Sequence, residues 1–427
     1  MVTPKTLETP LILSPPGVVN AAGHNPEQFW QTLERGIPTL TPRDDLVPEH
    51  SIHVGEIAGT LPNREAWPQQ FQTRNNQLAA AALIQIQDHI QIAIDRFGPA
   101  RIGIVVGTST SGIAEAETAL AEYSQVGTFP KQYSYQQQEF GSLAEFTRYL
   151  FKTNGPAYTI STACSSSAKA LASAYHLIRA DLCDAVIVGG ADSLCRLTVN
   201  GFHALGALSS GLSRPFAQDR DGINIGEAAA FFCLHKEDNH LRTGDNIALL
   251  GIGESSDAHH MSAPDPEGEG ATSAMRDALH MAGLGERDID YINLHGTGTP
   301  SNDQMEAKAV HRLFGQTVPC SSTKPFTGHT LGAAGSTEAA ICWLALSKRN
   351  ERYSRPKQIN LESAPPAIEN NPTPATTAST VDPALPALSL VTSKNSNLYS
   401  DTPLRYCLSN SFAFGGNNIS LLLGRTS

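Results

Sequence analysis

The sequence predicts an α/β protein, because apolar runs of strand length alternate with longer stretches whose apolar residues recur at helical spacing. The clearest strand covers residues 102–106 and ends in a Gly/Ser/Thr-rich turn at residues 107–112. Residues 157–160 predict a second strand, which leads directly into Cys164. From residue 165 to residue 182 the apolar side chains have the spacing of a helix, so we expect Cys164 between a strand and a helix.

The same alternation continues to the end of the chain, with a similar rhythm before and after residue 247. Further strands are predicted at residues 185–188, 248–252, 291–294 and 418–423. Further helices are predicted at residues 271–283, 303–314 and 333–348. Gly189 and Gly190 are expected to break the strand that precedes them. Residues 363–388 are rich in proline and lack periodicity, so they predict an irregular surface loop.

Composition narrows the class of protein. The 427 residues are enough to bury a substantial core. The net charge of −11 argues against broad nucleic-acid binding, which needs a basic face, although a local basic patch can still steer an acidic protein partner. Neither a signal peptide nor a membrane span is expected, because no sufficiently long apolar stretch occurs, and a cytoplasmic protein follows. The seven scattered cysteines lack CxxC pairing, which argues against disulfides and against a zinc site.

Cys164 is the first candidate for chemistry. A cysteine at a helix N-terminus meets the positive end of the helix dipole and free backbone N–H groups, and both favour the nucleophilic thiolate. Its neighbours at residues 163, 165 and 166 are small and leave room for a bulky acyl thioester. The alternative is a buried cysteine that packs behind the start of a helix.

Two histidines are the next candidates. His295 follows a predicted strand, where α/β proteins usually place ligands, although a histidine satisfied by loop backbone is the alternative. His329 lies in a segment of small residues that also contains Lys324 and Glu338. Glu338 belongs to a strongly apolar helix, so its burial requires a partner, and Lys324 is the natural one. An ordinary structural ion pair is the alternative for these two residues.

The last candidate segment is near the C-terminal end, at residues 409–418. Phe412 and Phe414 lie beside two glycines, which suggests a loop whose backbone comes close to a ligand. A plain turn between two strands is the alternative.

Six blocks in this order resemble the elongating β-ketoacyl-acyl-carrier-protein synthases of the thiolase superfamily over nearly the whole chain. The blocks are residues 162–166, residues 214–216 with 219–222, residues 256–260, residues 295–297, Lys324 with residues 328–329, and residues 412–416. The resemblance implies a five-layer αβαβα thiolase-like sandwich of two similar halves. The first half, residues 1–246, would carry the cysteine, and the second half, residues 247–427, would carry both histidines.

The same resemblance implies a role for each matched residue. Cys164 attacks the acyl-carrier thioester and holds the acyl group, and its backbone N–H forms an oxyanion hole with that of Phe414. His295 and His329 donate hydrogen bonds to the thioester oxygen of malonyl-carrier and stabilise the enolate left when CO₂ departs. Phe414, with Phe412 beside it, gates the acyl pocket.

Supporting roles are implied for four more residues. Lys324 and Glu338 would orient His329 and set the local field. Arg74 and Arg214 match basic positions near the pocket entrance, where the acyl carrier protein docks, and the alternative for both is a solvated surface arginine. No cofactor is implied beyond the phosphopantetheine of that carrier protein, which bears the substrates.

A narrower resemblance is to the ketosynthases of bacterial aryl polyene pathways. It involves residues 74–78, 107–112, 200–202, 226–230 and 412–414. Such ketosynthases work beside a chain-length factor that keeps the fold and lacks the cysteine, so both a heterodimer and a homodimer are expected possibilities. A fatty-acid elongating synthase and a non-catalytic subunit resembling a chain-length factor are the alternative functions. A thiolase is a further alternative, although it pairs its nucleophile with a second catalytic cysteine that has no matching motif here.

Overall fold

The computed structural model describes residues 9–241, 244–361, 380–393 and 398–426. Within these ranges the strands are β1 (Leu11–Leu13), β2 (Gly17–Asn20), β3 (Thr41–Val47), β4 (His50–Val54), β5 (Ile102–Gly107), β6 (Ala157–Ile160), β7 (Ala185–Asp192), β8 (Ala228–Lys236), β9 (Ile247–Ser256), β10 (Tyr291–Asn293), β11 (Pro319–Ser321), β12 (Ser389–Leu390), β13 (Tyr406–Ala413) and β14 (Asn417–Arg425). The α-helices are α1 (Pro26–Arg35), α2 (Arg74–Leu83), α3 (Gln87–Phe97), α4 (Ile113–Val126), α5 (Ser142–Phe151), α6 (Ser166–Arg179), α7 (Arg196–Ala204), α8 (Glu269–Ala282), α9 (Pro300–Phe314), α10 (Lys324–Thr327) and α11 (Ala334–Leu346).

The two halves of the chain repeat one sheet topology. In the first half the spatial order is β6-β5-β7-β8-β2, and in the second half it is β11-β10-β13-β14-β9. If the five strands of each half are numbered along the chain, both orders read 3-2-4-5-1. The pairs 3-2 and 2-4 are parallel, and the pairs 4-5 and 5-1 are antiparallel in both halves. This repetition confirms the prediction of two similar halves, while the boundary at residue 246 stays a prediction.

One short strand joins the halves into a continuous sheet. Strand β1 pairs antiparallel with β8 on one side and with β9 on the other. Strand β12 extends the far edge beside β11, and β6 forms the opposite edge. Strands β3 and β4 form a separate two-stranded sheet.

The helices form three layers around the two half-sheets. Helices α6 and α11 pack on each other in the centre, where their apolar residues share a core with Val105 of β5 and Leu421 of β14. Successive strand residues point to opposite faces, so Ile104 of β5 faces an outer core built with α2, α3 and α5. Leu422 of β14 faces the other outer core, built with α8 and α9. The order helix, sheet, helix, sheet, helix is the predicted αβαβα sandwich.

Most predicted elements agree with the structure, and strand β7 is the clearest correction. Gly189 and Gly190 do not break this strand, which continues to Asp192. Instead they permit close packing, because a Cβ on Gly190 would lie 2.7 Å from the carbonyl oxygen of Gly107. Of the predicted proline-rich loop, residues 363–379 lie outside the described residues, and residues 380–388 contain no helix or strand element. No described helix is long and apolar enough to cross a membrane.

Candidate active site

Cys164 lies in the tight connection between β6 and α6, and its side chain is buried. The preceding residue, Ala163, has a left-handed backbone with φ of 53°, which a residue with a Cβ rarely adopts. Ser166 stabilises this turn, because its hydroxyl donates to the carbonyl of Ala163 at 2.6 Å and accepts from the N–H of Thr162 at 2.9 Å. The strained turn therefore places Cys164 directly before the helix, as the sequence predicts.

His295 follows β10 and is held by a buried carboxylate. The two oxygens of Glu306, on α9, accept the backbone N–H groups of His295 at 2.7 Å and of Gly296 at 2.6 Å. Burial raises the pKa of Glu306 to about 7, against the opposing effect of these two N–H donors. The turn that carries His295 is thus anchored from the helix behind it.

His329 follows the short helix α10 in a loop that passes close to the first half of the chain. Its backbone N–H donates to the carbonyl of Asn224 at 2.6 Å, and its own carbonyl accepts from Gly226 at 3.0 Å. Gly328 has φ of 70°, and a Cβ there would lie 2.8 Å from the backbone nitrogen of Gly226. Only glycine fits this close approach, which directs His329 toward Cys164.

The nucleophile and both histidines converge in one buried cluster. Nε2 of His329 lies 3.0 Å from Sγ of Cys164. The rings of His295 and His329 are nearly perpendicular, with centroids 5.4 Å apart. Nδ1 of His329 has no hydrogen-bond partner in the described part of the chain. The structure therefore brings the three predicted chemical groups together from segments far apart in the sequence.

Lys324 and Glu338 form the predicted buried ion pair, with Nζ 2.5 Å from Oε1. The expectation that this pair orients His329 differs from the geometry. Nζ of Lys324 instead donates to the carbonyl oxygen of His295 and lies 3.3 Å from Nδ1 of the same residue. Lys324 begins α10 shortly after β11, and His295 follows β10, the strand that pairs with β11, so the ammonium lies beside His295.

The electrostatics of the cluster favour neutral histidines. Burial lowers the pKa of His295 and of His329 well below the usual range, and the Lys324 ammonium adds to this effect. A neutral His295 whose Nδ1 faces the Lys324 ammonium carries its proton on Nε2. His295 therefore presents an N–H donor to the site.

The expected stabilisation of the Cys164 thiolate is outweighed in this closed site. Burial raises the pKa of Cys164 to about 12, while the Lys324 ammonium and the backbone N–H of Phe414 pull it down. The helix start alone predicts the opposite direction, but removal of water from around the sulfur dominates. The thiol is thus protonated until a neighbouring group accepts its proton.

The last candidate segment is the turn of a β-hairpin that packs on the cluster. Strands β13 and β14 pair along their whole length, and Phe414 begins the turn between them. The N–H of Phe414 points at Cys164 Sγ, and the Phe414 ring contacts that of Phe202 with centroids 5.5 Å apart. The Phe412 ring lies 6.3 Å from that of His295. The segment is a turn between two strands, as the alternative interpretation states. The backbone of this turn also comes close to Cys164.

The two predicted docking arginines have partners within the chain. Arg74 forms an ion pair with Glu227, whose side chain is fully buried, and also donates to the carbonyl of Ile57. Arg214 forms an ion pair with Asp219. The strong pairing of Arg74 with a buried carboxylate indicates a structural role. Docking of a carrier protein at these arginines stays a prediction.

Two buried acids near the cluster were not predicted. Glu306 anchors the His295 turn, and Asp192 accepts hydrogen bonds from the loop after β5 and from Gly332. Glu306 shares the buried face of α9 with Met305 and Val310, so an acid on an apolar helix face was the available signal. Asp192 had no comparable signal, because the residues that it contacts lie far away in the sequence.

The cluster also resembles a set of metal ligands. The ligand atoms of Cys164, His295 and His329 all lie within 4.8 Å of one another. However, a proton on Nε2 of His295 removes the lone pair that a metal would need, and the nearby Lys324 ammonium repels a cation. These residues fit a hydrogen-bonding site with a thiol nucleophile better than a metal centre.

Comparison with known families agrees with this geometry. Residues 16–240 match the model "Beta-ketoacyl synthase, N-terminal domain", and residues 247–359 match "Beta-ketoacyl synthase, C-terminal domain". The fold and the site define a thiolase-like ketosynthase. The chain belongs to the β-ketoacyl synthase family.

Individual relatives show how far the similarity extends. The chain is 35% identical over 287 residues to the 3-oxoacyl-[acyl-carrier-protein] synthase 2 of Coxiella burnetii, an alignment that covers 64% of this chain and 63% of that protein. It therefore spans slightly less than two thirds of that relative. The synthase 2 of Staphylococcus aureus strain COL is 29% identical over 437 residues, covering 96% of this chain and 97% of that protein.

Two solved structures are similar over nearly the whole chain. The ketosynthase of Xenorhabdus doucetiae, solved in complex with its chain length factor, is 42% identical with a TM-score of 0.86, and the match covers 100% of both chains. The ishigamide ketosynthase/chain length factor is 27% identical with a TM-score of 0.83, covering 98% of this chain and 100% of that one.

Proposed function

We propose that this chain is an active β-ketoacyl-acyl-carrier-protein synthase, an acyltransferase that extends an acyl chain held on Cys164. The observation that carries this proposal is the convergence of the Cys164 thiol with two neutral histidines, one of them 3.0 Å from the sulfur. A non-catalytic subunit has no need of this arrangement, which places two costly buried imidazoles and a buried ion pair around one thiol.

The first step transfers the acyl group to Cys164. The sulfur attacks the carbonyl carbon of the carrier thioester, and the thiol proton passes through solvent to the phosphopantetheine sulfur. Nε2–H of His329, 3.0 Å away, donates a hydrogen bond to the attacking sulfur. The tetrahedral oxyanion is stabilised by the backbone N–H groups of Cys164 and Phe414. When this intermediate collapses, the phosphopantetheine sulfur takes up the proton and leaves as a free thiol.

The second step is decarboxylative condensation. The thioester oxygen of malonyl-carrier accepts hydrogen bonds from the Nε2–H groups of His295 and His329. As the C–C bond to the carboxylate breaks, CO₂ departs and its bonding electrons form the enolate, which these two donors stabilise. The enolate carbon then attacks the acyl-cysteine carbonyl, and the Cys164 sulfur leaves with the electrons of the broken thioester bond. This sulfur takes up a proton from solvent, which restores the thiol.

The side chains of four further residues assist these steps without contacting the reacting atoms. Lys324 keeps the proton of His295 on Nε2, and Glu338 balances the charge of Lys324. Phe414 and Phe412 line the approach to Cys164, where the Phe414 ring is placed to gate the acyl pocket. The reaction requires no cofactor apart from the phosphopantetheine that carries both substrates.

For the substrate we propose aryl-polyenoyl chains on a carrier protein, with malonyl-carrier as the extender. Support comes from the residues shared with aryl polyene ketosynthases and from the full-length similarity to the Xenorhabdus doucetiae ketosynthase. A saturated fatty-acid elongator is the second candidate, supported by the similarity to the 3-oxoacyl-[acyl-carrier-protein] synthases.

We further propose a dimer with a thiolase-like partner, either a second copy or a chain-length factor. Strand β6 ends the sheet with half-exposed side chains, and an exposed edge strand is a template for pairing. In the same half of the chain, helices α4 and α7 pack on each other and present Leu120, Val126 and Leu197, each more than half exposed. A cavity of about 420 Å³ opens between these helices. Exposed apolar residues on neighbouring helices are typical of protein interfaces, and they support this proposal.

The proposal is tested by intact-protein mass spectrometry with carriers that bear different acyl groups. We expect a stable mass gain on Cys164 that Cys164→Ala abolishes and Cys183→Ala, at the opposite end of α6, retains. Aryl-polyenoyl labelling supports the substrate proposed here, and labelling by saturated acyl groups alone favours the elongator. No labelling from any carrier, with or without a co-expressed partner, would instead indicate a non-catalytic subunit.

The histidines are tested by separating acylation from decarboxylation. His295→Ala and His329→Ala are expected to retain acylation of Cys164. Release of CO₂ from malonyl-carrier should fall by about 10²–10³-fold, because each variant removes one donor to the enolate oxygen. Condensation by either variant at nearly the wild-type rate would contradict this mechanism.

A further inference from the structure

Asp192, the last residue of β7, is a fully buried carboxylate beside the site. Within the described part of the chain it belongs to no ion pair. A buried charge without a counterion is costly unless many dipoles surround it. Such a group is rarely retained where a neutral residue would serve.

Five donor groups from two segments stabilise this carboxylate. Oδ1 accepts from the hydroxyl of Thr108 at 2.6 Å, from the N–H of Ser109 at 2.8 Å, and from the N–H and hydroxyl of Thr110, each at 2.9 Å. Oδ2 accepts from the N–H of Gly332 at 2.5 Å. Both oxygens accept throughout, so the arrangement suits the anion. Burial raises the pKa of Asp192, and these donors pull it down.

The bonded segments lead directly to the two groups that meet in the site. The hydroxyl of Ser109 donates at 3.2 Å to the carbonyl of Ala163, the left-handed residue immediately before Cys164. Gly332 follows His329 by three residues, at the start of the turn that precedes α11. One carboxylate thus connects the turn of the nucleophile with the loop of the histidine.

We propose that Asp192 is a positioning residue, which holds the Cys164 turn and the His329 loop at the separation that places Sγ against Nε2. The inference rests on the proposed function, for which this separation sets the hydrogen bond from Nε2–H of His329 to Sγ of Cys164 and the binding of the thioester oxygen. The negative charge has a second effect, because together with burial it raises the pKa of the Cys164 thiol. Asp192 acts on the reaction only through its neighbours and contacts no substrate.

The first test is Asp192→Asn, which keeps the shape and one acceptor oxygen but replaces the other with an NH₂ group. The NH₂ group faces a backbone N–H and cannot accept its hydrogen bond, so Asp192 loses its contact with one of the two segments that it connects. We expect condensation to slow by about ten- to a hundredfold, as for catalytic groups displaced by about 1 Å. The pH profile for alkylation of Cys164 by iodoacetamide should also move to lower pH, because a negative charge near the sulfur is lost while Lys324, Glu338 and the two neutral histidines are unchanged.

Asp290→Asn is the matched control. Asp290 also accepts two backbone N–H groups, those of Arg405 and Tyr406, but it lies at the end of β10 opposite to His295. This variant should leave the condensation rate and the alkylation profile of Cys164 at their wild-type values.

A second variant perturbs the link that Asp192 makes between the Cys164 turn and the His329 loop, without a change of charge. A Cβ on Gly332 would lie 2.8 Å from Oδ2 of Asp192 and from the nitrogen of Ser109, so Gly332→Ala forces the two segments apart. We expect it to slow condensation about tenfold or more and to leave the pH midpoint of alkylation unchanged. Position and charge are thereby measured separately.

The outcomes distinguish this inference from the proposed function. A folded Asp192→Asn variant with wild-type condensation and an unchanged alkylation profile would overturn the inference that Asp192 is a positioning residue. So would an unfolded Asp192→Asn variant together with a fully active Gly332→Ala variant, because Asp192 would then serve stability alone. If the wild-type chain condenses no substrate, the proposed function fails, yet alkylation needs no carrier and still reports whether Asp192 acts on Cys164.

Discussion

At the scale of single residues, the chemistry of the site depends on charges that are buried together. Lys324 contacts both Glu338 and His295, so one ammonium stabilises a carboxylate and orients an imidazole. Burial raises the pKa of Glu338 to about 7 even with the Lys324 ammonium beside it, which pulls in the other direction. Each of these groups is tolerated in the core only because the other is present.

Removal of Lys324 should therefore destabilise the protein in a pH-dependent way. Lys324→Met leaves Glu338 buried without a cation, which typically costs about 3–5 kcal/mol of unfolding free energy. Without the cation the pKa of Glu338 rises further. Below that pKa the folded state binds a proton that the unfolded state lacks, so stability falls as the pH rises through it. The destabilisation should be larger at pH 8 than at pH 5.5 in urea unfolding experiments.

The matched control for this prediction is the double variant Lys324→Met/Glu338→Gln. It has no buried carboxylate to titrate at this position, so its stability relative to wild type should vary less with pH than that of the single variant. Equal pH dependence of the two variants would contradict the assignment to Glu338.

At the scale of elements, the position of Cys164 depends on how closely α6 approaches β5. Gly107 ends β5, and a Cβ there would lie 2.4 Å from the backbone nitrogen of Ser167 in the first turn of α6. The absence of a side chain lets the helix start rest directly on the strand. The same reasoning explains why glycines persist inside β7, where sequence patterns alone predicted the strand to end.

Gly107→Ala should push the first turn of α6 away from the sheet. We expect a loss of about 1–3 kcal/mol of unfolding free energy, typical of overpacked sites, and slower acylation of Cys164. Gly201→Ala is the control, because a Cβ there meets nothing within 4 Å and α7 gains a better helix former. Thermal unfolding and single-turnover acylation measure both effects, and unchanged acylation in Gly107→Ala would refute the link.

At the scale of the whole molecule, the duplicated fold leaves one side of the first half-sheet open. Strand β6 forms this open edge, and helices α4 and α7 of the same half carry exposed apolar residues, whereas the second half-sheet ends in the short strand β12. A single chain thus has a closed core but an uncovered apolar face. This asymmetry supports assembly with another chain of the same fold.

Leu197→Asp should dissociate that assembly while leaving the chain folded. Leu197 is 62% exposed on α7, so a charge there costs little in the monomer and much in a dry interface. Ile92→Asp, on the outer helix α3 where Ile92 is 41% exposed, is the control and should retain the wild-type mass. Sedimentation analysis of the chain, alone and with a cysteine-free homologue, makes the comparison. An intact dimer with Leu197→Asp would place the interface elsewhere.

Local patterns in the sequence by themselves determined the α/β class, the repeated rhythm of the two halves, and the candidates Cys164, His295 and His329. These features depend on residues close together in the chain, such as a strand that ends in a small-residue turn before a helix. The family resemblance added the expected roles of these residues. It also added the αβαβα architecture, which the structure confirms.

Only the tertiary structure decided which distant groups meet. Lys324 contacts His295 rather than His329, burial raises the pKa of the Cys164 thiol, and Asp192 bonds a residue 140 positions away in the chain. The physical reason is that desolvation and hydrogen bonding depend on distances in space. When segments from both halves fold against each other, they exclude water and bring together donors and acceptors that no local spacing records.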